Sequence, residues 1–73
     1  MNDIEELIKD FAIESARFHL ETYGRMWGGQ ITLEHLPKEQ REHLEKCKQV
    51  LRYYGMLEEG LYKGNCRIIQ ENA

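Results

Sequence analysis

Apolar residues recur at helical spacing near the start of the chain. Ile4, Leu7, Ile8, Phe11 and Phe18, with Ser15 in the same row, form one stripe. Asn2 followed by Glu5 reads as a capping pair, and Gly24 after Tyr23 as a left-handed C-terminal cap. The spacing therefore predicts a helix over residues 3–23. The same segment carries a second set, Ala12, Ile13, Ala16, Leu20 and Tyr23, on a separate flank at 100° per residue. Such a helix is either wrapped along that flank by the rest of the domain, or keeps part of it for a partner. The wrapped reading is favoured, because a small fold needs most of its apolar surface.

"GRMWGG" (24–29) reads as a loop. "QITL" (30–33) fits a short strand, though Thr32 can equally cap a one-turn helix, "LEHL", ending before Pro37. Pro37 suits the first turn of a helix and Glu39 its positive end. Leu44, Cys47, Val50, Leu51 and Tyr54 then supply a buried stripe closed by Gly55, predicting a helix over 38–54. In the tail, Gly64–Asn65 between "GLYK" and "CRIIQ" signals a two-residue hairpin. That register sets Lys63 against Cys66, Tyr62 against Arg67 and Leu61 against Ile68, with "QITL" available as a third strand. The expected fold is α+β and mainly helical: two long helices, a short helix and a C-terminal β-hairpin in a single domain, 1–73.

Composition narrows the class. At 73 residues the chain buries only roughly 60–65% of its unfolded surface. Hydrophobic content of 41% beside 32% charge is globular rather than disordered. Thirteen acidic against ten basic residues give a net charge of −3, which does not favour a nucleic-acid partner. No apolar run approaches the ~20 residues that cross a bilayer. The acidic N-terminus argues against a signal peptide, and two cysteines are too few for a disulfide framework. A monomeric, cytoplasmic protein is expected.

No catalytic signature emerges, and no enzyme or cofactor is expected. His43 and Cys47 lie four apart and can share a helix face, and Cys66 and His35 would complete a zinc site only if the fold gathered them. The spacing does not demand this, and Cys47 lies on the apolar stripe where buried thiols are common. No metal site is assigned, and His19 has no evident partner. "WGGQ" lacks the spacing and the lysine of a phosphate loop.

The single tryptophan is the sharpest feature. Trp27 can fold back over the first helix and cover a thin core, the favoured use, or serve as an exposed anchor for a partner. Candidate partner-binding residues are Ile13, Glu14, Leu20, Glu21, Tyr23, Met26, Trp27, Arg52 and Tyr53.

The element order resembles a winged helix, "EHLPKEQREHLEKCKQVLRYYGMLEEGLYKGNCRIIQ" being similar to its second half. In that family the long helix enters the DNA major groove. Here Lys38, Arg41, Lys46, Lys48 and Arg52 are interleaved with Glu39, Glu42 and Glu45, a self-neutralising surface that argues against strong direct DNA binding. In length, acidity and its opening "MNDIEELIKDFAIESARFHLETYGRMWGG" the chain is similar to small phage-encoded transcription regulators, of the kind found in Xanthomonas phage, that bind host bacterial RNA polymerase. That resemblance implies a protein partner, the polymerase and especially its largest subunit. It also implies inhibition of initiation by competition with a sigma factor, antitermination, or both. The alternative is a winged-helix DNA-binding repressor.

Overall fold

The computed structural model describes residues 3–60 and 64–69. In chain order these form α1 (Asp3–Tyr23), β1 (Arg25–Trp27), β2 (Gln30–Thr32), α2 (Lys38–Tyr53), β3 (Leu57–Glu59) and β4 (Cys66–Ile68). The strands make one antiparallel sheet in the order β1-β2-β4-β3, so the architecture is α+β. Both long helices form where the apolar spacing places them. The capping partner Asn2 lies outside the described residues.

α1 packs chiefly on α2, and α2 reaches β3. The core gathers Ala16 and Leu20 from α1, Leu44, Cys47 and Leu51 from α2, and Ile31, Leu33, Met56, Cys66 and Ile68 from the sheet side. Leu20, Leu44, Leu51 and Cys66 are fully enclosed. α2 stops because Gly55, at φ 72°, adopts the left-handed conformation that favours glycine. The amide of Gly55 then donates to Arg52 O and that of Met56 to Leu51 O, which closes the helix end.

Three features depart from the sequence expectation. First, the "GRMWGG" loop contains a strand. Trp27 pairs with Gln30 across Gly28 and Gly29, which sit at φ 60° and 79°. Two consecutive positive φ values at the centre of a two-residue hairpin are the type I′ geometry that suits strand twist. Second, the one-turn helix at 33–36 is absent: the segment is a turn, with Leu36 N donating to Leu33 O and Glu34 N to Thr32 Oγ1. His35 there has φ 69°, incompatible with a helical turn. The short middle helix of a winged helix is thus missing among the described residues.

Third, the C-terminal hairpin forms in another register. Ile68 faces Leu57 rather than Leu61, Arg67 faces Glu58 rather than Tyr62, and Cys66 faces Glu59 rather than Lys63. Residues 61–63 lie outside the described residues, and the connection runs from Gly60 to Asn65, closed by Gly60 N donating to Asn65 O at 2.7 Å. The observed register buries Cys66 and Ile68 on one face and half-buries Leu57. On the other face the Arg67 guanidinium is paired with the Glu58 carboxylate. Opposite charges directly across a ladder, over an apolar inner face, outweigh the local turn signal of Gly64–Asn65.

Candidate protein-interaction surface

A helix with two apolar stripes can bury either, and here the buried one is the second. Ala16 and Leu20 enter the core and Ile13 packs against it. The first stripe, which has the more regular spacing, faces solvent: Ile4 is 73% exposed, Leu7 54%, Ile8 59%, Phe11 67% and Phe18 59%. At 100° per residue the two stripes lie roughly 150° apart, on nearly opposite sides of the helix. Small residues explain the choice, since Ala12 and Ala16 let α1 approach α2 closely, whereas Phe11 and Phe18 would hold it off.

The exposed stripe has a charged border. Asp3, Glu6, Asp10, Glu14 and Glu21 share one adjacent flank with Arg17, and α1 as a whole carries six carboxylates against two cations, net −4. Every residue from Asp3 to Phe11 is exposed, so the first turns of α1 extend along the body instead of being wrapped by it. A groove bounded by Glu5, Ile8, Lys9, Tyr53 and Tyr54 connects this end of the stripe to the C-terminus of α2. Within it Lys9 Nζ stands 5.7 Å from the centre of the Tyr54 ring. The Tyr54 ring meets Tyr53 edge-on, with centroids 4.9 Å apart. Tyr53 is 82% exposed.

Near the other end of α1 the chain enters β1. Trp27 is 66% exposed and Met26 61%, so the indole does not fold back into the core as the sequence reading favoured. All three residues of β1 are exposed, on an edge strand of the sheet. A cleft of about 780 Å³ lies beside them, lined by Arg25, Met26, Trp27, Thr32, Glu34 and Asn65 among others.

The sequence-selected residues therefore fall into groups. Tyr23, Met26, Trp27 and Tyr53 are exposed apolar or aromatic surface, and Glu14 and Glu21 are exposed acids. Arg52 is exposed and bound to Glu59, its Nη2 2.9 Å and its Nε 3.0 Å from Oε2. Leu20 is completely enclosed and Ile13 half-buried, which makes Leu20 a core residue with no surface to offer. Ile4, Leu7, Ile8, Phe11 and Phe18, which the spacing marks only as one apolar stripe, were not among the candidate partner residues, yet they supply the widest apolar surface of α1. The long run of acids along their flank was the signal that could have found them.

Both cysteines are buried free thiols. Burial pushes both Cys47 and Cys66 up from their ordinary value, with nearby Lys48 partly opposing this at Cys66. Lys48 is itself only 4% exposed, and its ammonium donates to the Gly64 carbonyl at 3.2 Å, fixing the loop before β4 onto α2. Among the described residues no helix is long and apolar enough to cross a membrane. Compared with known protein families, characterised proteins and solved structures, the chain matches none.

Proposed function

We propose that this chain is a protein-binding transcription regulator whose partner is host bacterial RNA polymerase. It acts by inhibiting initiation through sigma competition, by promoting antitermination, or by both. The polymerase as partner rests on the resemblance in length, acidity and opening segment to small phage regulators. The observation that carries the protein-binding part is the exposed stripe of α1. Five large apolar side chains on a 21-residue helix, with an acidic border, are what a partner segment with apolar residues flanked by basic ones would cover. Covering the exposed part of each such side chain contributes about 1–2 kcal/mol, so several together can offset the cost of association. Tyr53 on α2 adjoins the groove at one end of the stripe, and Met26 and Trp27 on β1 are further exposed apolar and aromatic side chains.

The alternative, a winged-helix DNA-binding repressor, loses support from the missing middle helix and from α2. Of the cations expected to face phosphate, Lys48 is buried and Arg52 is held by Glu59.

The test is reconstituted transcription with purified polymerase. Stoichiometric addition of the protein is expected to lower promoter initiation or raise readthrough of a terminator. The Trp27→Ala variant is expected to need a higher concentration, having lost ~2 kcal/mol of binding if the indole is a hot spot. Unchanged initiation and unchanged readthrough would overturn the proposal.

A further inference from the structure

We infer that His19, His43 and Cys47 form a zinc-binding site that clamps α1 to α2. The reading is independent of the proposed partner. His43 and Cys47 project from the same face of α2 at i, i+4. His19 comes from α1, next in sequence to Leu20, whose burial against α2 fixes where the imidazole lands. One ligand atom from each of the three residues lies within 4.8 Å of the others. Cys47 Sγ is 3.9 Å from His43 Nε2, and the two imidazole rings meet edge-on with centroids 5.0 Å apart. In a tetrahedral zinc site, bonds of about 2.0–2.3 Å place ligand atoms about 3.4–3.7 Å apart. The widest separation in the cluster thus needs to close by about 1.1–1.4 Å, shared between two side chains. His43 is exposed and His19 half-buried, so both rings have room to make that movement.

The donor set selects the ion. Two imidazoles and a thiol suit zinc and related borderline-soft divalent metals, whereas magnesium and calcium take oxygen. Binding displaces the Cys47 thiol proton to solvent and forms a zinc–thiolate bond. The surroundings hold the His19 ring in place. Ser15 Oγ lies 3.5 Å from its Nδ1, and Tyr23 stacks over it at 6.0 Å between centroids. Three protein ligands leave the fourth position to water on the exposed His43 side. His35 and Cys66, the companions that the sequence suggested for His43 and Cys47, do not belong to the cluster. His19, to which the sequence assigned no partner, does.

Cobalt titration of the full chain, purified in the presence of chelator and then freed of it, tests the site. One cobalt per chain is expected, with a thiolate-to-cobalt charge-transfer band, tetrahedral visible bands, and displacement of both by zinc. His43→Ala, at an exposed position that leaves packing intact, is expected to weaken binding by roughly tenfold or more. Cys47→Ser is expected to abolish the charge-transfer band, and His35→Ala to leave the spectrum unchanged. Zinc should raise the Tm of the wild type but not that of His43→Ala. The inference is overturned by the absence of a tetrahedral cobalt spectrum at stoichiometric metal. It is equally overturned if the spectrum survives Cys47→Ser or if His43→Ala binds as tightly as the wild type.

Discussion

Leu20 and Phe11 occupy the two apolar stripes of α1, and truncating each to alanine separates them energetically. Leu20 is 0% exposed, so Leu20→Ala opens a cavity among Ala16, Leu44 and Leu51 and is expected to cost about 2–5 kcal/mol. A 73-residue domain has a total stability of about 4–11 kcal/mol, so this loss ranges from about a fifth of it to all of it. Phe11 is 67% exposed. Truncating a fully buried Phe costs about 3–5 kcal/mol, and the third that is covered here sets a ceiling of about 1–1.7 kcal/mol. Alanine's better helix propensity returns about 0.5 kcal/mol. Phe11→Ala should therefore change stability by less than about 1 kcal/mol. Urea unfolding followed by far-UV circular dichroism measures both, at two protein concentrations, since self-association through the stripe would make the cost of Phe11→Ala grow with concentration. A loss of 2 kcal/mol or more for Phe11→Ala at the lower concentration, or a near-neutral Leu20→Ala, would refute the assignment of faces.

Three other perturbations probe the elements that position this surface. A methyl group at Gly24 would sit 2.6 Å from the Leu20 carbonyl oxygen and 2.7 Å from Ile31 Cγ2, so Gly24→Ala is expected to lower stability by about 1–3 kcal/mol in the same unfolding assay. In the β1–β2 turn, Gly28→Asn should be nearly neutral and Gly28→Val destabilising by about 1–2 kcal/mol, because asparagine tolerates positive φ and a β-branched residue does not. The Cys66 thiol, whose ionisation burial suppresses in the folded state, ionises near its ordinary value of 9.0 when unfolded. Its raised folded pKa contributes stability that is complete below that pH and lost as pH climbs above it. Cys66→Ala should therefore flatten the alkaline limb of a stability–pH curve.

Much of this architecture is legible in the sequence. Both long helices follow from 3.6-residue spacing, a property of one segment at a time, and Gly55 stops α2 in the left-handed conformation. Gly24 ends α1 without the positive φ expected of a left-handed cap: it is glycine because a Cβ there would meet Leu20 O and Ile31. Packing is a property of pairs, and here spacing misleads. Ile4, Leu7, Ile8 and Phe11 make the cleaner periodic row, yet Ala12 and Ala16 let the opposite face approach α2 more closely. The β1–β2 hairpin was readable, since Gly28–Gly29 between "RMW" and "QIT" is a type I′ signal as strong as Gly64–Asn65, but the glycines and tryptophan disguised it as a loop. The β3–β4 register was not readable from the turn alone. It rests on the cross-strand meeting of Glu58 with Arg67 and on the burial of Cys66 and Ile68 in the core. In the surface itself, Tyr53 is exposed, Trp27 is exposed against the favoured reading that folded it over the core, and Leu20, a candidate for the partner surface, belongs to the core. His19 joined His43 and Cys47 only once α1 had been laid on α2.

The most direct measurement is the affinity of the purified protein for host bacterial RNA polymerase, compared between the wild type and an Ile8→Ala/Phe11→Ala variant by titration calorimetry. Both positions are exposed, so the variant keeps its fold, checked by the unfolding experiment above. The wild type is expected to bind, and the variant to bind at least about 30-fold more weakly, the equivalent of losing one hot spot of ~2 kcal/mol. A wild-type protein that does not bind the polymerase, or a folded variant that binds it as tightly as the wild type, would contradict the account.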